Sequence, residues 1–89
     1  MSDEKGNNEA QVKIFTTTWC GFCKMAKSYF DSKNIAYTEV NIEEEPDAAM
    51  WLEQQGLRGV PVILFGEKDV VHGFDRPQID LLIREHKLA

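Results

Sequence analysis

The sequence predicts a small single-domain protein of the α/β class, with four strands and three helices in the order β-α-β-α-β-β-α. Two observations carry this prediction. Short segments rich in β-branched residues alternate twice with amphipathic helical segments, as in chains that build a sheet with helices packed on it. An apolar run at residues 60–65 is then followed, after a short turn, by another strand pattern, as in a β-hairpin. The length of 89 residues suits one domain.

The first half of the domain is predicted to be a strand, a helix and a second strand. In residues 11–16 β-branched side chains alternate with others, which favours a strand. From Cys23 to about Lys33 small and apolar residues recur at helical spacing, and Asn34 can end this helix in a left-handed conformation. Residues 35–42 favour a second strand.

The second half is predicted to be a helix, a hairpin and a last helix. Pro46 lies in the first turn of a helix that Gly56 ends. Residues 60–65 form a strand buried on both faces, with residues 69–72 as its hairpin partner. Asp75 is a candidate N-cap for the last helix. Because each helical connection joins two neighbouring strands, we expect parallel pairing through both.

Composition and charge exclude several classes of partner. Residues 1–10 are polar and charged with no apolar period, so they are predicted to be a flexible N-terminal tail before a domain at residues 11–89. The net charge is −5 with no basic stripe, which excludes nucleic acid. No membrane span or signal peptide is predicted, because no segment approaches ~18 apolar residues. We therefore expect a monomer in the reducing cytoplasm.

Two cysteines, Cys20 and Cys23, lie between the first strand and the first helix, where a Cys-x-x-Cys pair indicates a dithiol redox centre. Free backbone N–H groups and the helix dipole would stabilise a Cys20 thiolate, with Lys24 as a nearby cation. The thiolate is the form that attacks a disulfide. Cys23, one turn further on, would be the resolving thiol. Phe22 would offer an apolar contact, and Trp19 would either shield a mixed disulfide or simply pack.

Other interpretations of the cysteines are weaker. A structural disulfide does not suit a short loop in a reducing compartment. A closed zinc site needs four ligands, and only His72 and His86, far apart in the sequence, could complete it, so no metal site is predicted. A binding module with incidental cysteines would show a Cys20 pKa near the free value of ~8.5.

The Val60-Pro61 pair is the second feature that indicates a functional site. A proline at the start of a buried strand is unusual, because it has no N–H to donate to the hydrogen bonds of the sheet. A cis Val60–Pro61 bond would explain it, and a trans proline at the strand start is equally compatible with the residues. A cis turn would leave the backbone N–H and C=O of Val60 free beside the sulfurs. An extended peptide or glutathione could pair with them as an added strand.

From roughly Val12 to Leu88 the chain resembles the glutaredoxin family, within the thioredoxin-like fold. The resemblance implies a four-stranded mixed sheet flanked by three helices, and a cis bond before the proline. The motifs that carry it, in order, are Trp19-Cys20-Gly21-Phe22-Cys23, Val60-Pro61 and His72-Gly73-Phe74-Asp75.

The resemblance implies a thiol–disulfide oxidoreductase that reduces protein disulfides or glutathione mixed disulfides. Cys20 would form a mixed disulfide, which either Cys23 or a glutathione thiol would resolve. The backbone of Val60 would pair with the substrate cysteine. The turn formed by Gly73, Phe74 and Asp75, at a helix N-terminus, would hold the γ-glutamyl carboxylate of glutathione. No tightly bound cofactor is implied, and glutathione would be a co-substrate.

The chain departs from the usual glutaredoxin pattern in two places. Between the cysteines it has Gly-Phe where many members have Pro-Tyr, and together with the preceding Trp19 this segment is more similar to those of thioredoxins and mycoredoxins. It has His72-Gly73 where many have Gly-Gly. Residues 73–77 are similar to the glutaredoxin-like electron donors of ribonucleotide reductase, so either glutathione or thioredoxin reductase could be the electron donor. An alternative function is an iron–sulfur carrier, in which Cys20 and glutathione hold a [2Fe–2S] cluster in a dimer.

Overall fold

The computed structural model describes residues 11–88, so the predicted tail, residues 1–10, and Ala89 lie outside the described residues. The elements follow the predicted order. The strands are β1 (Val12–Thr16), β2 (Thr38–Asn41), β3 (Val62–Phe65) and β4 (Asp69–His72); the helices are α1 (Gly21–Ser32), α2 (Pro46–Gln54) and α3 (Arg76–Glu85). None of the helices in residues 11–88 is long and apolar enough to span a bilayer.

The four strands form one mixed sheet in the order β2-β1-β3-β4. β2 pairs with β1 in parallel, while β3 is antiparallel to β1, with Ile14 opposite Ile63. β4 completes the hairpin antiparallel to β3. The mixed sheet with three helices is therefore confirmed.

The prediction of parallel pairing through both helical connections is right for β1-α1-β2 and wrong for β2-α2-β3. β3 lies on the other side of β1 and runs antiparallel to it. A parallel pair requires a connection that returns the chain to the opposite end of the sheet. Here α2 and its following loop return the chain to the end where β1 and β2 finish, because Val60, just before β3, lies beside Cys20.

Helix ends follow the sequence signals. Asn34 and Gly56 have positive φ of 58° and 74° after α1 and α2. The carboxylate of Asp75 caps α3 by accepting a hydrogen bond from the Gln78 N–H at 3.4 Å. The second strand starts later than predicted, because Ile35 donates its N–H to the Phe30 carbonyl and so belongs to the end of α1.

The sheet has two covered faces, and β1 and β3 contribute alternate side chains to each. The face covered by α1 and α3, called the α1/α3 face, buries Val12, Ile14, Ala26, Phe30, Ile35, Ile63, Phe65, Val71, Ile79 and Ile83. The face covered by α2, called the α2 face, buries Phe15, Leu52, Val62 and Leu64. The apolar run of β3 is thus buried on both faces, as predicted.

Candidate functional site

Three loops from distant parts of the sequence meet at one end of the sheet. β1 ends there and leads to Cys20. β3, being antiparallel, begins there after Pro61, and β4 returns there to Gly73. The Gly73 N–H donates to the Pro61 carbonyl at 2.8 Å, and the Cys20 Sγ lies 3.8 Å from the Val60 carbonyl oxygen. The sheet topology therefore brings together the three motifs that the sequence singled out.

Cys20 and Cys23 form a disulfide, with their Cα atoms 5.2 Å apart. Cys20 is the N-cap residue of α1, and its Sγ accepts a hydrogen bond from the Cys23 N–H at 3.1 Å. Such a position, facing free N–H groups at the positive end of a helix, favours the thiolate when the sulfur is reduced.

The two sulfurs differ in exposure. Cys20 is half-buried, whereas Cys23 is only 1% exposed, because it shares the inward stripe of α1 with Ala26 and Phe30. A Cβ built on Gly21 would meet no atom within 4 Å, so the surface beside Cys20 is open. A substrate can therefore reach Cys20 first.

Val60 presents its backbone beside the sulfurs. The Val60–Pro61 bond is cis, as the resemblance implied. Within residues 11–88, no hydrogen bond involves the Val60 N–H. An unpaired backbone edge of this kind can accept an extended segment as an added strand.

His72 supports the loop that carries Val60, a contact that sequence reasoning missed. Its Nε2 is hydrogen-bonded to the Arg58 carbonyl. His86 lies at the other end of β4, where its Nε2 is 2.8 Å from the Asp69 carboxylate. In the part of the chain that the structure describes, no three His, Cys, Asp or Glu side chains are grouped to bind a metal ion.

Apolar side chains surround the open side of Cys20. Trp19 is 88% exposed and Phe22 62% exposed, so ordinary packing does not explain Trp19. Met25, 50% exposed, lies on the same side of α1 as Phe22. Sequence reasoning missed Met25, and its only signal was its three-residue spacing from Phe22.

The predicted cation, Lys24, lines an open pocket of about 410 Å³ between α1 and α3. Its Nζ makes no hydrogen bond to Cys20 in residues 11–88, so a thiolate-stabilising role for Lys24 stays a prediction. Phe74 lines the same pocket, with its ring edge-on to Tyr29 at a centroid distance of 6.0 Å. Asp75 follows, and its carboxylate is used in capping α3.

Three features together form a dithiol exchange site. They are a half-exposed sulfur at a helix start, a buried partner sulfur one turn further on, and an unpaired backbone edge beside them. On this mixed sheet they define a thiol–disulfide oxidoreductase of the thioredoxin-like fold. Comparison with known proteins identifies the family. The family model described as glutaredoxin matches residues 12–70.

A curated relative extends this match to nearly the whole chain. The chain is 36% identical over 77 residues to a glutaredoxin-like 8.6 kDa protein in the rubredoxin operon of Clostridium pasteurianum, covering 83% of this chain and 99% of the relative. The chain therefore belongs to the glutaredoxin family.

Solved structures of glutaredoxin-like proteins have the same fold as this chain. The glutaredoxin-like NrdH-redoxin from Escherichia coli, described as having a thioredoxin-like activity profile, superposes with a TM-score of 0.71 at 27% identity, covering 82% of this chain and 91% of that one. A buckwheat glutaredoxin in complex with glutathione gives a TM-score of 0.69 at 25% identity, with coverages of 88% and 80%.

Proposed function

We propose that this protein reduces disulfide bonds in other proteins by dithiol exchange, with Cys20 as the attacking thiolate and Cys23 as the resolving thiol. One observation carries the assignment of roles. The half-buried Cys20 sulfur accepts the Cys23 N–H at 3.1 Å at the start of α1, whereas Cys23 is only 1% exposed. The accessible and stabilised sulfur is the one that suits the first attack.

The exchange has two steps. In the first, the Cys20 thiolate attacks one sulfur of the substrate disulfide, that bond breaks, and the leaving thiolate takes a proton from water. In the second, the Cys23 thiol loses its proton and attacks the Cys20 sulfur, which forms the Cys20–Cys23 disulfide and releases the second substrate thiolate. The substrate gains two electrons, and an external reductant must return two electrons to the cysteine pair.

Protein substrates suit the surroundings of Cys20. The unpaired backbone of Val60 would align an extended substrate segment beside the sulfur. Trp19 and Phe22 are exposed apolar side chains beside the redox cysteines, and exposed apolar surface of this kind favours contact with a protein substrate. One copy of the chain is sufficient, in a reducing compartment such as the cytoplasm that keeps the dithiol available.

We propose thioredoxin reductase as the electron donor. The similarity to an NrdH-redoxin with a thioredoxin-like activity profile supports this choice. So do the two departures from the usual glutaredoxin pattern, Gly-Phe between the cysteines and His72-Gly73 before α3.

A paired turnover assay tests the proposal. Reduction of insulin disulfides is followed with NADPH and thioredoxin reductase in one reaction, and with NADPH, glutathione and glutathione reductase in the other. We expect turnover in the first reaction and little in the second. Turnover in the second alone would overturn the choice of donor, and turnover in neither would overturn the function.

Replacing each cysteine tests the two roles. Cys20→Ser should abolish turnover, because no thiolate remains to attack. Cys23→Ser should leave the first step intact, so a mixed disulfide between Cys20 and the substrate should accumulate and be visible by mass spectrometry. Full activity of Cys20→Ser, or an adduct mapped to Cys23, would reverse the assignment.

A further inference from the structure

α1 carries two apolar stripes, and the fold explains only one of them. Cys23, Ala26 and Phe30 are buried in the core of the α1/α3 face. Phe22, Met25 and Tyr29 form a second stripe, at spacings of three and four residues. A helix with one buried stripe usually turns polar residues to solvent on its other side. The second stripe is instead exposed at Phe22 and Met25 and half-buried at Tyr29.

The second stripe connects the redox site to the pocket between α1 and α3. A shallow pocket of about 290 Å³ beside Cys20 is lined by Gly21, Phe22 and Met25. Met25 also lines the 410 Å³ pocket that Tyr29 and Phe74 enclose. The two pockets therefore form one continuous surface, called here the α1 stripe surface.

The α1 stripe surface has two cations on its rim. Lys24 and Arg76 line its larger pocket, and among residues 11–88 neither forms an ion pair. Lys27, on the same helix, differs, because its Nζ is paired with Glu39 at 3.0 Å. The Arg76 guanidinium carbon lies 4.7 Å from the centroid of the Tyr29 ring, which positions this charge. The hydroxyl of the same ring donates to the Asp80 carboxylate, which forms no ion pair with Arg76.

Two cations on the rim of an apolar surface, with no ion-pair partner among residues 11–88, favour an acidic, partly apolar ligand. We propose that the α1 stripe surface binds the segment flanking the target disulfide in a protein substrate. An apolar side chain of that segment contacts Met25 and Tyr29, and an acidic side chain contacts Lys24 and Arg76. This inference rests on the proposed function and adds the substrate's chemistry to it.

Helix geometry gives the position of the acidic side chain. Arg76, the cation farther from the redox site, lies over the Tyr29 ring, and from Cys20 to Tyr29 the rise along α1 is about 13 Å. An extended segment covers that distance in about four residues. The preferred substrate therefore has an acidic residue about four positions from the cysteine that Cys20 attacks.

Synthetic peptides test this preference directly. The protein is reduced beforehand and mixed in a single turnover with disulfide peptides that are identical except for Glu, Gln or Lys at that position. We expect the Glu peptide to react about three to ten times faster than the Lys peptide at low salt, with a smaller difference at high salt. Equal rates at low salt would overturn the inference, whereas failure to reduce any peptide would overturn the proposed function itself.

A pair of charge reversals locates the preference. Arg76→Glu should remove or reverse the preference for the Glu peptide. Lys68→Glu makes the same change of charge in the exposed turn at the opposite end of the sheet, and it should leave the preference unchanged. Equal effects of the two variants would show that net charge alone sets the rates, which would overturn the inference.

A pair of methionine replacements tests the apolar part. Met25→Gln should slow all three peptides by about threefold, because Met25 would lose its apolar contact with the substrate. Met50→Gln is the matched control, since Met50 is 57% exposed on α2. If Met25→Gln behaves like Met50→Gln, the stripe does not contact the substrate.

Discussion

The two faces of the sheet are unequally packed. The α1/α3 face joins side chains from three strands and two helices into one core. The α2 face buries four side chains, and beside them an open cavity of about 450 Å³ is lined in part by Phe15, Trp51 and Leu64. One helix of nine residues does not cover this face completely.

The reacting cysteines lie on the better packed side. Cys23 continues the stripe of Ala26 and Phe30, so the core of the α1/α3 face fixes the start of α1 and with it the Cys20 sulfur. The α2 face positions neither cysteine. The comparison indicates that the positions of the two sulfurs depend on the α1/α3 face.

The largest expected effect is the loss of Phe30. Phe30 is fully buried and contacts the rings of Tyr37 and Phe65. Phe30→Ala should lower the free energy of unfolding by about 3–5 kcal/mol, a large part of the stability of a small domain. Leu52→Ala, on the α2 face, should cost about 2–3 kcal/mol, because fewer buried side chains surround Leu52.

Denaturant titrations of the two variants measure the difference. Alkylation of the reduced proteins under folding conditions then measures the reactivity of Cys20. Reactivity should be retained in Leu52→Ala. A larger loss of stability in Leu52→Ala than in Phe30→Ala would contradict the comparison of the two faces.

The two tryptophans separate stability from activity. Trp51 is half-buried on the α2 face and stacks on Phe15 at a centroid distance of 5.5 Å. Trp51→Ala should lower the free energy of unfolding by about 1–2 kcal/mol and leave the rate of disulfide reduction unchanged. Trp19→Ala makes the same change at an 88% exposed position beside Cys20. It should alter stability by less than about 0.5 kcal/mol and slow the reduction of protein disulfides. Matching effects of the two variants would contradict the proposed division.

Local patterns predicted most of the fold. The 3.6-residue period of α1 and the alternation in β1 are local signals, and the capping side chain of Asp75 lies three residues from its partner. The direction of β3 could not be predicted in this way, because a helical connection of this length allows either orientation. The residues alone are equally compatible with a cis and a trans Val60–Pro61 bond. Only the family resemblance predicted the cis form.

The candidate site was also predictable only where its residues are close together in the sequence. Cys20 and Cys23 form a local motif, and their separation already implies a sulfur pair at a helix start. The pocket of Lys24 and Arg76 depends on how α1 packs against α3, more than fifty residues later in the chain. The contact of His72 with Arg58 depends on β4 lying beside the loop before β3. A sequence pattern within one segment cannot predict contacts between distant segments.

A smaller effect is expected from His72, at the site end of β4. Its hydrogen bond to the Arg58 carbonyl holds the loop that carries Val60, so His72 is a positioning residue. His72→Ala should raise KM for protein disulfides with little change in kcat, by an amount equivalent to about 0.5–1.5 kcal/mol. His72→Gln should restore KM, because the glutamine amide can also donate. His86→Gln, at the other end of β4, should have no effect on KM, and a rise in KM there would argue against a specific role for His72.

The smallest effect concerns acid stability on the α1/α3 side. The hydrogen bond from Lys27 lowers the pKa of Glu39 below its ordinary value of 4.5; partial burial opposes this shift, and the bond from the Thr16 hydroxyl at 2.9 Å adds to it. The folded protein therefore holds the Glu39 proton more weakly than the unfolded chain does. The contribution to stability is present above about pH 4.5 and is lost as pH falls through the folded pKa.

Unfolding of the native protein and of Glu39→Gln, followed from neutral pH to about pH 3, measures this contribution. Because both partners are partly exposed, the difference at neutral pH should be only about 0.5 kcal/mol, and it should shrink in acid. The exposed Glu53 on α2 forms no ion pair within residues 11–88, so Glu53→Gln should show no such pH dependence. If the two variants lose the same stability at every pH, the Lys27–Glu39 pair adds nothing to the α1/α3 side, and the advantage of that face comes from its apolar core alone.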